Sequence, residues 1–547
     1  MPIACFMSSL MRVAALAAAG ILSGCAGRET GVPGSDSIRA ADLSADLHFL
    51  AGDAMRGRLV GTPEIGMAAE YLQSRFERMG LKPAGTGGSY LQPFELMSFS
   101  LGEENSLEIQ GVEGAPLVLT LGRDFSPMEF SATAAGQGSP VYAGFGIVGP
   151  DFGHDDYKGH DLKGKVALVL LHEPGENDEK SVFDGVVTSE MTHPWRKALA
   201  AQERGATAIL FVDDIQNHGG GGLEAVHAFT WPGKPRRVER FNLATRMEKI
   251  RIPMAQISAG VASKLIAGSG KTLRELALSA ETKGGVVPTE LPGPRIYLRI
   301  SVKRTRVPAR NVLGLIEGTD RKDELVIVCG HYDHEGADGD QIFNGADDNG
   351  SGAVGVLEIA EAYARAGRRP RRSVLFANWD AEERGLLGAW YYAELPGWPL
   401  SKIVAVLNMD MIGRNEEVVE HTSRFRGLEF QTAASNANAM NVIGMERCPD
   451  LRAEIERANG SIGLEIRYRY DNNISNLLRR SDHWPFVNFG IPGGWFFTGL
   501  HPDYHRTGDR PERINYAKME RVVRLVHHVS WDLADGDARP VLRKRVP

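Results

Sequence analysis

The sequence predicts an α/β domain with a largely buried sheet, interrupted by a smaller β-rich domain. Three observations point there. After residue 295, Glu324 to Cys329, Ala353 to Ala366, Ser373 to Trp379 and Ile403 to Asn408 read as strand, helix, strand and strand. Between about 136 and 292 the texture is short apolar runs broken by glycine turns, such as Val141 to Ile147 and Lys165 to Leu171. With 547 residues, 43% hydrophobic and 24% charged, the chain is long enough for two or three domains and too apolar for a disordered one.

The N-terminal segment stands outside this fold. Arg12 is the only charge in residues 1 to 24, and the apolar stretch Val13 to Leu22 is too short to span a bilayer. Leu22-Ser23-Gly24-Cys25 resembles a bacterial lipobox, so residues 1 to 24 are expected to be a lipoprotein signal peptide and Cys25 the lipidated N-terminus. The alternative is an ordinary cleaved signal. The first places the protein in the bacterial cell envelope, at the periplasm or outer membrane, and the second secretes it. No later segment is apolar and long enough to cross a membrane, so membrane contact is expected only through the lipid anchor.

Further along, Ile65, Ala68, Ala69, Leu72, Phe76 and Met79 recur at helical spacing, with Gly80 and Pro83 as a stop, predicting an amphipathic helix over 64–79. The β-rich region holds a helix ending near Glu203, then Gly205 and a strand over 208–212, and closes near Thr289 to Pro292. It reads as an insertion. Lys+Arg of 62 against Asp+Glu of 69 gives a net charge of −7 with neither sign concentrated, which argues against a nucleic-acid partner. Cys329 and Cys448 alone remain in the folded body, so a disulfide framework and a cysteine zinc site are excluded. A single bridge between them is conceivable in an oxidising envelope, although Cys329 lies in an apolar run and reads as a buried thiol.

In open α/β sheets ligands bind beyond the carboxyl ends of strands, and the suspicious residues lie there. The strand at 324–329 runs into Gly330-His331-Tyr332-Asp333-His334, and Asn344-Gly-Ala-Asp347-Asp348-Asn-Gly-Ser351-Gly opens the following helix. The next strand ends in Asp380-Ala-Glu382-Glu383-Arg-Gly, the next in Met409-Asp410-Met411, and His501-Pro-Asp-Tyr504-His505 follows an aromatic run. Imidazoles with carboxylates suit zinc and similar divalent ions, and a shared carboxylate can hold two ions about 3.5–4 Å apart. In Glu382-Glu383 adjacent side chains point apart, so one can ligate while the other abstracts a proton from water.

These motifs resemble the co-catalytic zinc exopeptidases, the family of bacterial leucyl aminopeptidase, aminopeptidase Y and glutamate carboxypeptidase. The resemblance covers most of the chain beyond the leader. It implies an aminopeptidase-like sheet flanked by helices and two zinc ions per chain. Asp348 would bridge the ions, with His331 and Asp410 completing one and Glu383 and His505 the other. By the same resemblance Glu382 is general base and acid, Tyr504 hydrogen-bonds the oxyanion, and Asp333 orients His331 from behind. Arg56-Gly-Arg-Leu-Val-Gly-Thr-Pro looks like the family's N-terminal portion, which assigns 40–135 and 293–535 to the peptidase domain. The insertion at 136–292, with Val141-Tyr-Ala-Gly-Phe-Gly and Leu162-Lys-Gly-Lys-Val-Ala-Leu-Val, resembles a protease-associated domain.

Taken alone, His331 would be a core histidine and Glu382-Glu383 a solvated helix start; their joint, ordered occurrence favours a metal centre. His334, His483 and His501 have no assigned role, and Asp482 fits a structural network as well as a ligand-orienting one. Gly268-Ser-Gly-Lys271-Thr272 imitates a phosphate loop but has Leu265 where that motif needs glycine, and the basic run at 368–372 reads as a solvated turn. No His-Glu-x-x-His run or serine nucleophile elbow is present. The resulting expectation is an exported zinc aminopeptidase acting on peptides. A carboxypeptidase or dipeptidase on the same core is the alternative, with a single-zinc glutaminyl cyclase or a non-catalytic binding module behind it.

Overall fold

A computed structural model describes residues 31–544 apart from 113–114, 184, 219–221, 235 and 421, so the leader and Cys25 lie outside the described residues. Strand Arg321–His331 sits inside the larger sheet, with Arg372–Trp379 on one side and Ile403–Met409 on the other, all parallel. Gly493–Phe497 continues the parallel order beyond Ile403–Met409. Alternation along the central strand feeds two cores. Val326 and Val328 pack with helices Gly352–Arg365 and Tyr516–Asp535, while Leu325, Ile327 and Cys329 pack with Leu387–Glu394 and His483–Asn488. Helices on both faces explain why these strands read as continuous apolar runs. Each such buried Val, Leu or Ile contributes roughly 1.5–3 kcal/mol of burial. Cys329 and Cys448 are both buried and unbridged.

The predicted helix at 64–79 is Pro63–Arg78, started by a proline in its first turn, with Ile65, Ala68, Ala69, Leu72 and Phe76 buried. Among the described residues no helix is long and apolar enough to cross a membrane.

The second sheet is wider than the sequence texture at 136–292. Its strands run in the order Leu117–Val118, Ser106–Gln110, Arg295–Ile300, Ala134–Tyr142, Lys165–Leu170, Ala208–Val212, Met254–Ile257, Phe125–Pro127. The reason lies in one long antiparallel pair: Leu91–Leu101 lies against Val302–Ile316 in unbroken register from Leu91↔Val312 to Leu101↔Val302. The chain therefore leaves the larger sheet after Leu101 and, apart from the short strand Asn242–Leu243 against Leu96 and Met97, returns at Val302, so segment 106–127 joins the inserted domain although the resemblance assigns 40–135 to the peptidase domain. This domain has cores of its own around Phe125, Leu168 and Leu210 and around Ala167, Ile209 and Met254. The phosphate-loop imitation is a capping device: Thr272 accepts from Glu275 N at the start of helix Leu273–Ala280, and Glu275 caps back. The basic run makes ion pairs instead of a free patch, Arg368 with Asp535 and Arg371 with Asp320 and Asp537.

Candidate metal centre

Because the three central strands are parallel and adjacent, their carboxyl ends deliver His331, the Asp380–Glu383 turn and Asp410 to one edge. Helix Gly352–Arg365 begins below this edge, and the loop before it carries Asp348. Gly345 turns that loop with φ 59°, and a side chain there would meet His334 Cγ at 2.4 Å. Asp509 fixes the loop from behind, accepting from Asp347 N and Asp348 N at 3.0 Å. Asp347 faces away from the pocket, taking Gly413 N at 2.6 Å and lying 3.3 Å from His501 Nε2.

The five expected ligands meet here. Asp348 Oδ1 lies 3.4 Å from His331 Nε2, and its Oδ2 lies 2.9 Å from His505 Nε2, so one carboxylate faces two imidazoles. His331 Nε2 is also 3.6 Å from Asp410 Oδ1 and from Glu382 Oε2. His505 Nε2 is 3.1 Å from Glu383 Oε2. Ser481 Oγ holds the other Asp410 oxygen at 2.5 Å. Asp333 does more than lie 3.5 Å from His331 Nδ1: its carboxylate accepts Glu382 N at 2.9 Å and Glu383 N at 3.3 Å. That grip accompanies a left-handed Ala381, φ 60°, and turns the two glutamates to different partners. Tyr504 OH accepts from Arg480 Nη2 at 2.9 Å, which leaves its own proton to donate.

The pocket beside these groups has a volume of about 280 Å³, with Leu386, Met411, Trp495 and Leu500 as apolar wall and Arg479 and Arg480 as cations. Its floor holds an excess of buried acid. Burial pushes the Glu382 carboxyl well above its ordinary range, with Asp482 and Asp410 adding to the rise against His331. Burial would lower the His331 imidazole, but Glu382 and Asp410 hold it well above its usual value. Glu383 goes the other way, since His505 and His334 overcome burial and hold its carboxyl well below the carboxylate range. A bound cation would offset this excess.

Orphaned atoms test that inference. His331 Nε2, His334 Nε2 and Asp410 Oδ1 are buried, and none makes a hydrogen bond. Each buried polar atom left unpaired costs about 1–3 kcal/mol, so inward-facing nitrogen and carboxylate donors fit a divalent ion that would take their lone pairs.

Residues 311–530 match the model for peptidase family M28. Over these residues the chain is similar to the peptidases of that family. Among curated proteins, it is 31% identical over 224 residues to leupeptin-inactivating enzyme 1 of Streptomyces exfoliatus, covering 37% of this chain and 45% of that one. It is 27% identical over 517 residues to a probable glutamate carboxypeptidase VP8 of Zea mays, covering 87% of this chain and 63% of that one. The chain thus spans about half the length of the curated relatives it matches. An aminopeptidase from Aneurinibacillus sp. strain AM-1 aligns in structure over 94% of this chain and 99% of its own, with TM-score 0.47 and 18% identity.

Several residues of this site escape sequence reading. His334 Nδ1 lies 2.7 Å from Glu383 Oε1 and 4.0 Å from Asp348 Oδ2, buried beside two of the expected ligands. Its place three residues beyond the strand that delivers His331 was the available signal. Asp482 is fully buried with neither carboxylate oxygen hydrogen-bonded, and burial pushes its carboxyl well above the usual range while His331 opposes this. Arg58, also fully buried, donates to the carbonyls of Tyr332, Leu50, Asn344 and Gly345 at 2.7–2.9 Å, tying the N-terminal segment to both metal-site loops. Nothing in residue type announced that role, because only the fold shows four carbonyls converging on one guanidinium.

Proposed function

We propose that the protein is an exported zinc exopeptidase, and that its polarity is that of an aminopeptidase. The observation that carries this is the inward-facing set of orphaned buried donors around Asp348. Two zinc ions would be held there, one by His331 and Asp410, one by Glu383 and His505, with Asp348 shared. When bound, they would supply Lewis acidity that polarises the scissile carbonyl and lowers the pKa of water.

Glu382 would take a proton from the attacking water and return it to the leaving amine, a role that its burial and raised carboxyl pKa support. Tyr504, whose oxygen is engaged by Arg480, would donate its hydroxyl proton to the developing oxyanion. Asp333 fixes the Glu382–Glu383 turn. The apolar wall receives a side chain, and the excess of carboxylates favours a cationic α-amine. Arg479 and Arg480 at the same pocket favour a second reading, in which they receive a terminal carboxylate and the enzyme trims C-termini or cleaves dipeptides. The inserted domain is read as protease-associated-like, and the leader as directing export with lipidation at Cys25; palmitate labelling abolished by Cys25→Ala would support the anchor.

The deciding experiment digests a mixed peptide set, some N-acetylated and some C-amidated, with and without chelator, read by mass spectrometry. Loss of N-terminal residues only from unblocked peptides, abolished by chelator, is the expected result. C-terminal trimming would establish the second reading, and no cleavage of any peptide would overturn both.

A further inference from the structure

The smaller sheet has a carboxyl edge of its own. Lys165–Leu170 and Ala208–Val212 are parallel neighbours, and each runs into a loop bearing metal-competent side chains: His172 and Glu176 after the first, Asp213 and His218 after the second. The His172 and His218 rings stack with centroids 3.7 Å apart and planes inclined by 15°. Glu176 serves both. Its Oε2 lies 3.5 Å from His172 Nδ1, and its Oε1 contacts His218 Nε2. One donor atom from each of the three residues falls within a mutual 4.8 Å. On the other side of the His172 ring, Nε2 lies 3.5 Å from Asp213 Oδ1.

The scaffold under these residues is built. Lys197, 1% exposed, donates its ammonium to Leu170 O at 2.9 Å and His172 O at 2.5 Å, which accompanies a left-handed φ of 67° at His172. Asp214, fully buried, accepts Gln216 N and Asn217 Nδ2. Glu281 then joins the two loops, taking Asn217 Nδ2 with one oxygen and Gly175 N with the other.

Two imidazoles stacked face to face over a shared carboxylate would repel one another if both were protonated. In their neutral form they bring nitrogen lone pairs together beside an anionic oxygen. That is the donor set of a zinc-class ion, and a carboxylate behind the far nitrogen is the usual means of fixing the ligating tautomer. We infer that His172, Glu176 and His218 bind one zinc-class divalent ion in the smaller domain, outside the catalytic pocket, with Asp213 orienting His172. The ion staples the two strand-end loops. Further along the first of these segments, Glu190 accepts Trp484 Nε1 at 2.7 Å from the catalytic domain, so the staple steadies the segment that meets that domain.

The inference is independent of the catalytic reading, and one experiment separates them. The full chain, stripped with chelator and dialysed against Zn²⁺ alone, is assayed for zinc per chain by mass spectrometry of the metal. Three ions per chain are expected for the unaltered protein, two for His172→Ala/His218→Ala and one for His331→Ala/His505→Ala. Glu176→Gln, a milder change, should weaken the third ion at least tenfold. A cobalt visible band in the His331→Ala/His505→Ala protein should vanish when His172→Ala/His218→Ala is added. Equal zinc content with and without His172→Ala/His218→Ala, in a protein whose near-UV circular dichroism is unchanged, would overturn the site. Loss of an ion on His172→Ala/His218→Ala but none on His331→Ala/His505→Ala would leave this site standing and sink the catalytic one.

Discussion

At the carboxyl edge of the larger sheet, His331, Asp348 and Asp410 are at most 4% exposed, and His331 Nε2 and Asp410 Oδ1 lack hydrogen bonds. At the equivalent edge of the smaller sheet, the His172 and His218 side chains keep 31% and 38% of their surface and Glu176 pairs with both. Parallel strands deliver histidines and carboxylates to both edges by the same topology. Burial separates them. Where water is excluded, unpaired donors are costly and electrostatic interactions strong, which suits a pocket that must act on a substrate. Where water still reaches, the same residue types make ordinary contacts, and an ion there can do little more than join loops.

Four changes break or sharpen this contrast. Glu382→Gln should cost about 10²–10⁴ in kcat while zinc content stays unchanged, because it removes a proton carrier and no expected ligand. Steady-state kinetics beside metal analysis checks it, and a metal-loaded variant with full turnover would remove Glu382 from the chemistry. Arg58→Met leaves four carbonyls beneath the buried edge without their donor, so a destabilisation of roughly 3 kcal/mol or more is expected in denaturant titrations.

His527 shows what burial does to an imidazole without carboxylate neighbours. Packed against Tyr363 and Trp531 and bonded to Pro33 O, it is pushed by burial down to about 3, opposite to His331. Its folded pKa lies below the unfolded value near 6.5, so the unfolded chain binds the extra proton and stability is lost as pH falls through that window. Relative to His527→Phe, the unaltered protein should lose about 2 kcal/mol between pH 6.5 and 5. Parallel pH-dependent slopes for the two proteins would contradict this. The smallest effect is expected for Glu190→Ala, which leaves Trp484 Nε1 unpaired where the domains meet and should cost about 1 kcal/mol in the thermal midpoint analysis.

Much of the site was legible because most of the expected ligands follow an apolar run whose direction is set by sequence. His331, Glu382, Glu383 and Asp410 each end a strand or begin the turn after it, and a parallel sheet aligns such ends. His334 was not, since a second histidine in one loop reads equally as core or ligand until its ring is placed against Glu383. The extent of the inserted domain was hidden for a different reason. Ser106–Gln110 and Phe125–Pro127 have ordinary strand composition, and only their partners, Arg295–Ile300 and Met254–Ile257, reveal to which sheet they belong.

Hydrophobic periodicity and residue order thus set the strands, the helix at 63–78, the α/β class and the catalytic motifs, because these depend on neighbours along the chain. Tertiary structure alone decided which carboxylates lose water, that Arg58 gathers four carbonyls, that Asp333 grips the Glu382–Glu383 turn, and that His172 meets His218 across two loops. Those properties arise from contacts between residues tens to hundreds of positions apart, and burial and electrostatic strength depend on that packing, not on local sequence.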